Sequence, residues 1–131
     1  MKIAFATTDG VNVDEHFGRA GKFAIYELTR DAYQFIEMRE FAEGRDVEIE
    51  ETKGKGQIHE DKVQSKVEKL ADCKIIYLTD IGGPSAARLA RKGIMPVKVK
   101  EVIAIEDALK KLLEAVKTSP PPWLKKALNS D

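Results

Sequence analysis

The chain has one cysteine, two histidines, one tryptophan and no surplus charge of either sign. A lone thiol at Cys73 excludes an intramolecular disulfide, and it excludes an iron–sulfur cluster clamped by four thiolates of this chain. Twenty-two basic residues balance twenty-two acidic ones. That balance argues against a general nucleic-acid binder, which needs excess cation to displace the counterions of phosphate. No apolar run approaches membrane-spanning length, and Met1 to Ala6 holds neither the apolar region nor the cleavage site of a secretory leader. A soluble, cytoplasmic protein is expected. Its 131 residues suit a single domain that buries about two-thirds of its unfolded surface.

The elements follow from periodicity and punctuation. Residues 2 to 8 form a short apolar run stopped by Asp9-Gly10, which predicts a buried strand and a turn. Val11 to Gly21 is too broken by glycine and polar residues for a regular element. Lys22 to Thr29 and Tyr33 to Phe41 are rich in aromatic and branched residues, and Arg30-Asp31 joins them as a hairpin. Glu43 to Glu60 shifts to Gly, Lys and acidic residues and predicts a mobile loop.

Val63, Val67 and Leu70 then share one face of a helix over 61–71. Cys73 to Thr79 is apolar on both faces, as a strand covered on both sides must be. Asp80-Ile81-Gly82-Gly83-Pro84 turns into a helix over Ser85 to Lys92, with Gly93 placed to end it. Met95 to Val99 is a fifth strand, and a long amphipathic helix runs from Ile105 to Lys117. Pro120-Pro121-Pro122 breaks the pattern before Trp123 to Leu128, a short amphipathic stretch whose Trp is expected to dock back on the domain. The order predicts a mixed five-stranded α/β sheet flanked by helices, with three antiparallel strands first and a parallel β-α-β unit after them. Residues 1–117 are the expected domain and 118–131 a proline-rich tail.

Chemistry concentrates at Asp14-Glu15-His16-Phe17-Gly18-Arg19-Ala20, after the first strand. An imidazole suits a metal and a guanidinium suits an anion, so His16 and Arg19 together fit a ligand that is both. Gly18 between them permits close backbone approach. The ordinary alternative is a solvated loop histidine. Gly82, Gly83 and Ser85 open a helix whose unpaired amides and positive dipole end favour an anion. Their spacing matches neither a dinucleotide fingerprint nor a phosphate loop.

If the first and fourth strands are parallel neighbours, this turn lies beside the His16 loop. Cys73, at the start of a buried strand, reads as a small core residue, and His59 as at most a mobile second ligand. Asp9, Asp14 and Glu15 offer carboxylates near the same end, but no acid stands on the first strand itself, where a two-metal nuclease needs one. No nucleophile with a positioned base is legible.

Lys2-Ile3-Ala4-Phe5-Ala6-Thr7, His16-Phe17-Gly18-Arg19-Ala20, Phe23-Ala24-Ile25-Tyr26, Asp72-Cys73, Ile81-Gly82-Gly83-Pro84 with Leu89, and Gly93-Ile94-Met95-Pro96 resemble the dinitrogenase iron–molybdenum cofactor biosynthesis family over residues 1–117. The tail from Pro120 to Leu124 is similar to the NifX branch of that family. The resemblance implies a ribonuclease H-like sheet without nuclease carboxylates. It also implies a non-catalytic carrier of an iron–sulfur precursor of the cofactor, passed between nitrogenase cofactor assembly proteins. The family's motif histidine falls on His16 as the metal ligand. Nucleic acid and membrane are not among the expected partners. A metal-dependent nuclease and an adaptor acting through the Trp123 tail are the competing readings.

Overall fold

The computed structural model describes residues 1–41 and 56–129. Strands β1 (Lys2–Ala6), β3 (Lys22–Leu28), β4 (Tyr33–Glu40), β5 (Cys73–Leu78) and β6 (Met95–Lys98) form one sheet in the order β4-β3-β1-β5-β6. β1 pairs antiparallel with β3, and β3 with β4, whereas β1–β5 and β5–β6 are parallel. This is the mixed five-stranded sheet, antiparallel strands first and a parallel β-α-β unit after them, that the element order led one to expect. Helices α1 (Gly56–Lys69), α2 (Gly83–Arg91), α3 (Ile105–Thr118) and α4 (Pro122–Asn129) flank it.

Alternation of side chains along the strands divides the core in two. Ala4, Ala6, Phe23, Ile25, Ile76 and Leu78 meet Val63, Val67 and Leu70 of α1 and Leu89 of α2. Ile3, Phe5, Ala24, Ile75 and Tyr77 meet Ile105, Ala108, Leu109 and Leu112 of α3. Both faces are therefore covered, as the apolar run of β5 requires. The turn after α2 closes as a Schellman motif. Gly93 (φ +76°) donates to the Ala90 carbonyl, Ile94 donates to that of Leu89, and the Ile94 and Leu89 side chains are both buried.

Three local expectations need correction. Val11 to Gly21 is not wholly irregular: β2 (Asn12–Val13) pairs antiparallel with β7 (Ile103–Ala104). Two-residue strands are too short to show alternation, so no periodic signal marks them. Gly56 to Glu60 belong to α1 rather than to a loop; the remainder of the expected loop, 43–55, lies outside the described residues. In α4 it is Leu124, only 1% exposed, that docks into the core, whereas Trp123 stays 38% exposed.

Arg39, near the carboxyl end of the edge strand β4, reaches to Asp72, the residue just before β5, and ties the edge strand to the centre. Its two terminal nitrogens each lie 2.7 Å from an oxygen of Asp72, and Nη1 also donates to the carbonyl of Lys69, which ends α1. Lys2 adds a contact at 3.2 Å. The Arg39 guanidinium holds the Asp72 carboxyl well below the usual carboxylate range. A carboxylate depressed in the folded state contributes stability above about pH 4 and loses it as pH falls toward the folded value. Asp72→Asn should therefore flatten the acid limb of the stability profile. It should cost about 1 kcal/mol at neutral pH, since the carboxyl is 42% exposed and solvent screens much of the pair. Denaturant melts at a series of pH values measure this, and identical acid limbs in both proteins would refute it.

Charge is divided along the chain although it cancels in sum. Residues 1–72, which build β1, β3, β4 and α1, hold eleven basic and sixteen acidic side chains; residues 73–131 hold eleven basic and six acidic.

Candidate functional site

The segment after β2 returns to the carboxyl ends of β1 and β5 and wedges between them. Asp14 donates its amide to the Ala6 carbonyl at 3.3 Å, the Thr79 amide donates to Glu15 at 3.0 Å, and Phe17 donates to Asp80 at 2.9 Å. His16 and Asp80 thus face each other as a parallel bridge. In open α/β sheets the crevice at this seam, where the chain's strand order reverses, is the usual ligand position. Residues 16–20 then make one helical turn, with the Ala20 amide 2.9 Å from the His16 carbonyl.

Two side chains fix that turn from below. Phe17 is fully buried against Phe23, with ring centroids 6.1 Å apart. Lys66 of α1 is only 6% exposed; its ammonium donates to the carbonyls of Phe17 at 3.1 Å and Ala20 at 3.0 Å and lies over the Phe17 ring. Hydrogen bonds from a charged donor are stronger than neutral ones, and here they add to the backbone bonds that close the turn.

With Phe17 pulled inward, the His16 imidazole points out and is 51% exposed. Its Nδ1 lies 3.9 Å from Oδ2 of Asp80, while Oδ1 of Asp80 is 3.2 Å from the Lys98 ammonium and accepts the Ile81 amide at 2.8 Å. Lys98, then the Ile81 amide, hold the Asp80 carboxyl below its ordinary range. Lys98 arrives there because β6 pairs in parallel register with β5, setting Leu78 opposite Lys98.

The glycine turn follows directly. Gly82 caps α2 in an extended conformation without any side-chain cap, Pro84 occupies the first turn, and no acidic residue accompanies it. Ser85 is half-buried in the same turn. The structure thus brings His16 beside the strand end that leads into Gly82, Gly83 and Ser85. Among the described residues, a Cβ added at Gly18 or Gly83 would meet nothing within 4 Å, and neither has a positive φ. The fold itself does not demand these two glycines.

Arg19 is exposed and lines a cleft of about 390 Å³ with Thr7, Thr8, Glu15, Lys22 and Glu40; neither His16 nor the Gly82 turn is in that lining. The other candidates separate cleanly. Asp9 is held down to about 2 by the amides of Asn12 and Val11 and also accepts from the Thr7 hydroxyl. Asp14 accepts the Thr8 amide at 2.8 Å and its hydroxyl at 2.5 Å. Both carboxylates are committed to holding their own loop. Glu15 accepts the amide of His16.

Burial, and next the Asp72 charge, pushes the Cys73 thiol up to about 12, so at neutral pH it is a protonated core residue and a poor ligand. His59 falls within α1, at a position whose side chain lies outside the described residues. Among the described residues, no three His, Cys, Asp or Glu side chains are grouped to hold a metal ion by themselves, and no helix is long and apolar enough to cross a membrane.

Asp80, Lys98 and Lys66 are absent from the sequence-based set. Lys66 left a trace, as a cation set on the helical stripe of Val63, Val67 and Leu70; Asp80 and Lys98 left none, since only the sheet register joins them.

Comparison with known proteins agrees with this architecture. The description "Dinitrogenase iron-molybdenum cofactor" belongs to the family whose pattern matches residues 1–115. Protein NifX of Sinorhizobium fredii is 40% identical over 98% of this chain and 78% of its own length. Protein NifX of Herbaspirillum seropedicae is 40% identical over 98% of this chain and 82% of its own. The crystal structure of PH0822 superposes with a TM-score of 0.64 at 19% identity, covering 94% of this chain and 98% of that one, and shares the fold. The chain belongs to the dinitrogenase iron–molybdenum cofactor family, on its NifX branch.

Proposed function

We propose that this protein takes part in building the nitrogenase iron–molybdenum cofactor as a non-catalytic carrier. It binds an iron–sulfur precursor and passes it between cytoplasmic assembly proteins, a donor and an acceptor scaffold. Support comes from the family and from relatives named NifX, NifY and FeMo cofactor biosynthesis protein NifB. The observation that carries the reading is the exposed His16 imidazole at the β1–β5 crevice, with Asp80 behind it and the open Gly82–Gly83 turn beside it.

In this reading the imidazole donates its free lone pair to an iron of the cargo. The backbone near Gly18 and the amides at Gly83 and Ser85 answer the negative charge of its sulfides. The chemistry favours release. Several thiolates would bind iron too firmly to hand it on, whereas one imidazole and dipolar contacts exchange readily.

The wild-type protein tests this directly. Kept free of oxygen and mixed with a donor protein loaded with the iron–sulfur precursor, it should gain broad visible absorbance that leaves again on adding an acceptor scaffold. Failure to take up any chromophore would overturn the carrier role.

A further inference from the structure

We infer that Asp80 is the positioning residue of His16, its carboxylate holding the imidazole proton on Nδ1 so that Nε2 presents its lone pair outward. The significance of this arrangement rests on the carrier reading, but its signature is present in the metal-free protein. The backbone sets the geometry first. His16 and Asp80 are bridge partners, and the Phe17 amide is bonded to the Asp80 carbonyl at 2.9 Å. Their side chains therefore rise from fixed, neighbouring points.

The carboxylate is then oriented by its other contacts. Oδ1 is taken by the Ile81 amide and the Lys98 ammonium. That leaves Oδ2 toward Nδ1, at 3.9 Å, the separation of an ion pair and longer than a hydrogen bond. Glu15, the other nearby carboxylate, accepts the backbone amide of His16 at 3.0 Å. Neutral histidine in water carries its proton mainly on Nε2; a carboxylate at Nδ1 reverses this and raises the ligand basicity of Nε2. Lys98, on the other side of Asp80 from His16, draws Oδ1 toward β6.

The experiment uses the whole chain labelled with ¹⁵N at histidine, read in the metal-free state at about pH 8, where imidazoles are neutral. His16 should carry its proton on Nδ1 in the wild type and mainly on Nε2 in Asp80→Ala, with Asp80→Asn between them because its amide oxygen still accepts. A wild-type His16 protonated on Nε2, or a tautomer indifferent to Asp80→Ala, would overturn the inference. Cobalt(II) alone serves as a second probe. Asp80→Ala should weaken its binding about tenfold in the wild-type background and not at all beside His16→Ala. An equal loss in both backgrounds would make Asp80 a ligand in its own right and end the positioning role. If the tautomer shifts as stated while His16→Ala still takes up the iron–sulfur precursor normally, the carrier site fails and the Asp80–His16 relation stands.

Discussion

His16→Ala should lower uptake of the iron–sulfur precursor by about a hundredfold or more, a larger loss than the ten- to hundredfold typical of a supporting residue. The same substitution should leave stability within about 0.5 kcal/mol, because truncating a surface side chain removes little packing. His16 is half-exposed, and its structural bonds run through its backbone: its carbonyl accepts from Ala20 and its amide donates to Glu15. Alanine preserves both. Binding and folding are thereby separated, and anaerobic titration beside a thermal melt reads each one. Undiminished uptake would remove the imidazole from the site, whatever the family's motif implies.

Lys66→Met should destabilise the protein by about 2–4 kcal/mol, the range for breaking charge-assisted hydrogen bonds in a buried setting. Methionine keeps the aliphatic stem and the contact with the Phe17 ring but leaves the Phe17 and Ala20 carbonyls without the ammonium that now satisfies them. The loss should be local before it is global. Amide exchange at Arg19 and Ala20, whose protons close the His16 turn, should quicken more than at Phe5 in the sheet centre. Uniform acceleration, or none, would show that the lysine does not hold the turn.

Most of the fold was legible because the strands announce themselves as short apolar runs between turn residues. That the His16 loop would reach the carboxyl end of β5 was also legible, since it follows once β1 and β5 are parallel neighbours with their carboxyl tips side by side. What surrounds the imidazole was not. Asp80 in the sequence is one acid before a glycine turn, and Lys98 one cation among twenty-two; they become partners only through the β5–β6 register. Arg19 shows the reverse failure. Three residues of sequence separation suggested one composite site, yet the guanidinium contributes to a cleft that His16 does not line. For Trp123, bulk and hydrophobicity favour burial, yet the inward place on α4 belongs to Leu124.

The division of charge between the two parts of the chain has a kinetic consequence that its zero sum conceals. Ten charges separate the segment through Asp72 from the one after it, and the sheet order sets the strands of the two segments on opposite sides of the β1–β5 seam. A strongly charged surface drawing near would feel that division before touching, and the orientation of encounter would be biased without any net attraction. Salt near 0.15 M, which confines such fields to about 8 Å, would blunt that alignment.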